Sequence, residues 1–79
     1  MPTIKKIIID ARGLQTPIPE LRIRTACETI NSGDLIEIAV TEPKMKSHID
    51  AISKILNIKL LGTKEVQDVI IFLLQKEND

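Results

Sequence analysis

The sequence predicts an α/β fold built in the order β-α-β-α-β-β. Three observations lead there. Fifteen isoleucines and no Trp or Tyr make an aliphatic, β-branched core that favours a substantial sheet. Two stretches carry apolar residues at helical spacing, and four carry strand-like runs. Seventy-nine residues hold one domain, residues 1–79, with no linker, repeat or low-complexity segment.

The elements follow in order. Ile4–Asp10 is a β-branched run stopped by charge, and reads as a strand. Gly13 breaks the chain. A helix is expected from about Pro17 to Asn31, with Ile23, Cys27 and Ile30 at i, i+4, i+7 on one face. Asn31-Ser32-Gly33 stops it, Gly being free to turn left-handed. Leu35–Thr41 alternates, with Ile36, Ile38 and Val40 on one side. Thr41-Glu42-Pro43 opens a second helix to about Leu56, with apolar positions Met45, Ile49, Ile52, Ile55 and Leu56, and Asn57 ends it. Ile58–Gly62 and Val69–Gln75 are the last strands, with a turn inside the polar stretch Thr63–Asp68.

Composition excludes several classes. Eleven basic and eleven acidic residues cancel, and Phe72 is the lone aromatic. A general nucleic-acid binder needs a basic footprint and stacking rings, and both are missing. The run Ile7-Ile8-Ile9 is too short for a signal peptide or membrane span, so no membrane insertion is expected. One cysteine allows no internal disulfide and suits a reducing, cytoplasmic setting. A lone His48, with no second His and no Cys nearby, does not make a zinc ligand set; it reads as a solvated helix residue, with a role at the edge where the helices start as the alternative.

Topology then points to one edge. A right-handed strand–helix–strand crossover makes the first two strands parallel. Both helices start beyond the carboxyl ends of those strands, so Thr16-Pro17 and Glu42-Pro43 become neighbours. Helix starts expose N–H groups and favour anions. Arg12, Lys44 and Lys46 add positive charge, or are a solvated face, and Arg12 is a candidate surface pair with Asp10 or Glu42. Thr16 is expected to be the N-cap of the first helix, its hydroxyl accepting from the Ile18 N–H, with a ligand-facing role as the alternative. Gly13 serves backbone geometry. Cys27 lies roughly three turns, about 16 Å, along the helix from Thr16 and reads as a core residue. With two helices only, one sheet face stays open. Val69–Leu74 is apolar on both faces, and Ile8 and Leu35 fall on the open side, which implies a homodimer or another protein partner.

The string Asp10-Ala11-Arg12-Gly13-Leu14-Gln15-Thr16-Pro17-Ile18-Pro19 resembles the signature of the TusA-like (SirA-like) sulfur-carrier family. That signature reads Asp-x-Arg-Gly-Leu-x-Cys-Pro-x-Pro. Gly33-Asp34, Glu42-Pro43 and Ile49 extend the resemblance over essentially the whole chain. It implies a two-layer sandwich, with a mixed four-stranded sheet and two helices on one face, and partners among sulfur-transfer components. It also implies a persulfide-carrying cysteine where this chain has Thr16. A threonine hydroxyl cannot ionise near neutral pH or hold a persulfide. The resemblance therefore implies a divergent, non-catalytic docking or accessory protein, with no catalytic residue, metal or cofactor. Two alternatives remain: an anion-binding module at the paired helix starts, and a carrier that uses Cys27.

Overall fold

Alternation along the first strand sets the architecture. In a computed structural model, which describes residues 3–77, Ile9 and Ala11 turn inward while Lys6, Ile8 and Asp10 stay exposed. The six elements are β1 (Lys6–Ala11), α1 (Ile18–Thr29), β2 (Leu35–Val40), α2 (Met45–Leu56), β3 (Ile58–Val66) and β4 (Val69–Lys76). The strands form one sheet in the order β1-β2-β4-β3. β1 and β2 are parallel, and the other two pairings are antiparallel. The structure is the expected two-layer sandwich with both helices on one face.

Register places the apolar positions in rows beneath the helices. Ile7, Ile36 and Leu74 form one row, Ile9, Ile38 and Phe72 the next, and Ala11, Val40 and Ile70 the third. From α1, Ile23, Ala26 and Cys27 pack down on these rows, and Met45 and Ile49 do so from α2. Phe72, 1% exposed, fills the middle. Burying each such aliphatic or aromatic side chain is worth about 1.5–3 kcal/mol, which makes this layer the main stabilising element.

The chain between α1 and β2 is tied twice. Asp34 is buried, and its carboxylate accepts from the backbone N–H of Asn31 (2.9 Å) and of Lys5 (3.0 Å). Those N–H groups hold the Asp34 carboxyl below the usual carboxylate range. Lys76 extends its ammonium from β4 to the carbonyls of Cys27 (2.8 Å) and Ile30 (2.9 Å). A cation on the last carbonyls is the favourable partner for a helix end.

Several boundaries differ from expectation. α1 ends at Thr29, and Ile30 is already extended; Gly33, at φ +92°, lies in the following turn and does not cap the helix. Asn57, at φ +56°, does end α2 as expected, its N–H donating to the Ser53 carbonyl. Ile55 is 80% exposed and not part of the apolar face. It stands six residues after Ile49, about 240° round the helix from it. β3 runs on to Val66, four residues past the expected end at Gly62, and the turn expected within Thr63–Asp68 is Gln67-Asp68. Thr63, Lys64 and Glu65 pair with Phe72, Ile71 and Ile70 while remaining exposed, so backbone pairing needs no apolar pattern there. None of the helices is long and apolar enough to cross a membrane among the described residues.

Candidate functional site at the paired helix starts

The segment from Asp10 to Pro19 leaves β1, crosses the sheet edge and enters α1. Arg12 turns back on Asp10, donating from Nε to Oδ1 (2.8 Å) and from Nη2 to Oδ2 (2.9 Å), while its backbone N–H also donates to Oδ1 (3.2 Å). This fork lowers the Asp10 carboxyl to about 2. Arg12 is therefore the exposed surface pair expected with Asp10, and Glu42 is not its partner. Gly13 sits at φ +80°, a conformation that favours glycine. Its N–H donates to the Thr41 hydroxyl (2.8 Å) at the end of β2. That bond joins the entrance of α1 to the approach of α2, so the two helix starts are neighbours as the topology requires.

Thr16 is not the helix cap. The helix begins at Ile18, Pro17 occupies the cap position, and no side chain caps it. The Ile18 N–H donates to the Gln15 carbonyl (3.0 Å), leaving nothing there for the Thr16 hydroxyl to accept. The backbone turn Gln15–Ile18 has taken over the role that a capping side chain would fill. The Thr16–Pro17 peptide bond is cis, Thr16 is half-buried, and Pro19 is buried in the first turn of α1.

The second start is similar in being closed by backbone. Met45 N–H donates to the Glu42 carbonyl and Lys46 N–H to the Pro43 carbonyl, with Lys44 at the cap position and no side-chain cap. Lys44 is exposed and Glu42 half-buried. Lys46 reaches Glu65 on β3 at 2.8 Å. Arg12 and Lys46 are thus each engaged by an acid, at opposite sides of the proposed edge.

His48 is not a simple solvated residue. It is half-buried, with Nδ1 3.2 Å from Glu20 Oε2, and it links the first turn of α2 to the first turn of α1. The other oxygen of Glu20 is buried and has no hydrogen-bond partner among the described residues. Sequence reasoning missed this pair. The signal available was weak: an acid, Glu20, in the first turn of α1 and a histidine, His48, in the first turn of α2, on two helices whose starts are adjacent.

Cys27 lies where the spacing placed it, on the inner face of α1, 6% exposed. Burial pushes its thiol up, Glu28 adds to that, and nearby Lys76 offsets part of it. A buried, protonated thiol is a poor nucleophile. The site thus offers a loop carrying a hydroxyl, and a thiol toward the other end of α1 that is shut in the core.

Known proteins share this fold. A family model described as Sulfurtransferase TusA matches residues 7–76. The chain is 32% identical to a putative sulfur carrier protein, YrkI, of Bacillus subtilis over 87% of its length and 92% of the relative's. It is 31% identical to the sulfur carrier protein TusA of Allochromatium vinosum, covering 86% and 90%. The crystal structure of a SirA-like protein from Desulfitobacterium hafniense superposes with a TM-score of 0.78 at 19% identity, over 91% of this chain and 99% of that one. With the family model spanning residues 7–76 and the relatives covered nearly end to end, the chain belongs to the TusA family of sulfur carriers.

Proposed function

We propose that this chain serves sulfur trafficking by docking to a sulfur-transfer protein, without carrying the sulfur itself. The observation behind this is the pair of facts at α1: Thr16 stands at the motif position, and the one thiol, Cys27, is buried at the other end. Persulfide transfer needs a thiolate that attacks the outer sulfur of a donor persulfide. A new S–S bond forms, the donor's S–S bond breaks, and the donor leaves as a thiolate. Thr16 has no sulfur to form that bond. What remains of the family's apparatus is the shaped loop, which is a surface for recognition. Relatives named as sulfur carriers indicate the class of partner. Small-anion binding at the helix starts has less support, because Asp10 and Glu65 already hold Arg12 and Lys46.

The test has two arms. Wild type and Thr16→Cys are incubated with a persulfide donor and weighed as intact proteins, with peptide mapping of any adduct. The variant should gain one sulfur at position 16, and wild type none. Sulfur on Cys27 of wild type at the same rate would overturn the reading in favour of a Cys27 carrier. In the second arm a persulfidated sulfur-transfer protein is titrated into isotope-labelled chain. Amides of Gly13, Leu14 and Ile18 should shift, and their indifference while others move would displace the docking surface from this loop.

A further inference from the structure

The two edges of the sheet are treated differently. β3, at one edge, carries a bulge at Leu60/Gly62 and the charged residues Lys59, Lys64 and Glu65. Those are the usual devices that stop an edge from pairing. β1, at the other, is regular over its whole length, with Ile7-Ile8-Ile9 at its centre. Ile8 is 70% exposed.

The outward groups of β1 can be identified. Lys5 directs both its backbone groups toward β2 and the loop before it: its N–H donates to Asp34 and its carbonyl accepts from Leu35. Backbone direction alternates along a strand. Ile7 and Ile9 therefore also face β2, and the N–H and C=O of Lys6, Ile8 and Asp10 face outward, unpaired within the sheet. The side chains of the same three residues lie on the open face.

We propose that β1 pairs antiparallel with β1 of a second copy about a two-fold axis at Ile8, extending the sheet across both molecules. The charge pattern selects this register. A two-fold at Ile8 sets Lys6 opposite Asp10 of the second copy, Ile8 opposite Ile8, and Asp10 opposite Lys6. All three are hydrogen-bonded pairs, since all the groups concerned face outward. Centring on Lys6 opposes two lysines, and centring on Asp10 opposes two aspartates. Centring on Ile9 sets Lys6 against Arg12. Centring on Ile7 leaves Lys6 and Asp10 facing isoleucines. Opposite charges across a strand pair stabilise it and like charges oppose it. Lys6 already contacts Glu37 at 2.9 Å, and an ammonium with three donors can serve both acids. Asp10 keeps acceptor capacity beside its Arg12 fork.

A second observation lies on the helix side. Between the free edge of β1 and α1 runs an open groove of about 560 Å³, lined by Ile7, Ile9, Ile18, Leu21 and Ala26 among others. Ile18 and Leu21 are 44% and 51% exposed. Joining the edges brings the two copies' grooves together above the paired strands, where these side chains cover one another.

The test is mass by light scattering over a dilution series, with amide exchange read by NMR. A dimer is expected, with protection of the Lys6, Ile8 and Asp10 amides that rises with concentration. Asp10→Lys should weaken association by about tenfold or more, and Lys6→Asp added to it should restore it, because the opposite pairs are re-formed with reversed sign. Circular dichroism confirms that each variant is folded. Leu73→Glu, on the open sheet face, should leave the dimer intact. A monomer at every concentration overturns the proposal. So does a dimer that tolerates Asp10→Lys and is lost with Leu73→Glu, which would place the interface on the open face.

Discussion

Replacing Lys76 with methionine isolates the contact that closes α1. Methionine keeps most of the aliphatic stem and removes the ammonium. Two carbonyls, of Cys27 and Ile30, then lose donors at 2.8 and 2.9 Å. A hydrogen bond to a charged group is worth about 1.5–3 kcal/mol net when well formed. Lys76 is only half-buried and water can reach part of the site, so the two together are set near the value of one. A cation at a partly buried helix C-terminus reaches about 2 kcal/mol, which agrees. The expected loss is therefore roughly 1.5–3 kcal/mol. In a domain this size each kcal/mol moves Tm by about 4–8 °C, so a fall of at least about 6 °C is expected. Lys46→Met is the comparison. Its pair with Glu65 is exposed on both sides, and its loss should cost about 0–1 kcal/mol. The assay is urea and thermal unfolding of both variants, with maleimide labelling of Cys27 as a local probe. Cys27 sits one turn from the closed end, so Lys76→Met should speed its labelling in native buffer, while Lys46→Met should not. A Lys76→Met loss no larger than that of Lys46→Met would refute the view that this ammonium holds the end of α1.

Two further outcomes concern Asp34 and Thr16. Asp34 has a carboxyl lowered by the N–H groups of Asn31 and Lys5. A group depressed in the folded state stabilises above its unfolded pKa of about 3.9, and that stabilisation is lost as pH falls through the folded value. Urea midpoints measured from neutral pH downward should therefore drop below about pH 4 in wild type, and Asp34→Asn should lower the neutral value and flatten the acid limb; an unchanged acid limb would contradict this. Thr16→Val should change stability by no more than about 0.5 kcal/mol, since no cap bond is lost, whereas a capping threonine would cost about 1 kcal/mol; denaturant unfolding distinguishes the two.

Element type and order were readable from residue pattern because both helices and three strands bury one face. The spacing of Ile23 and Cys27 marks one side of a helix, though Ile30 joins the core from just beyond its end, and Ile36, Ile38 and Val40 mark one side of a strand. These local periodicities need no knowledge of the partner surface. The motif string was equally readable, and so was the absence of its cysteine. The burial of Cys27 followed from spacing alone.

Other features depended on contacts between residues far apart in the chain. Thr63–Val66 became strand because β4 offered free backbone groups, and hydrogen bonding along a ladder leaves no trace in side-chain polarity. Thr16 has the composition of a cap, yet the Gln15 carbonyl reached the Ile18 N–H first, a competition settled by loop geometry. No periodicity marks the roles of Asp34 and Lys76, and only the folded chain carries one to the Lys5 and Asn31 amides and the other to the end of α1. His48 and Glu20 are 28 residues apart and meet because the two helix starts share an edge. Pattern determines which face of an element is apolar; the tertiary fold determines which polar groups find each other, because a hydrogen bond depends on position to within a fraction of an ångström and burial does not.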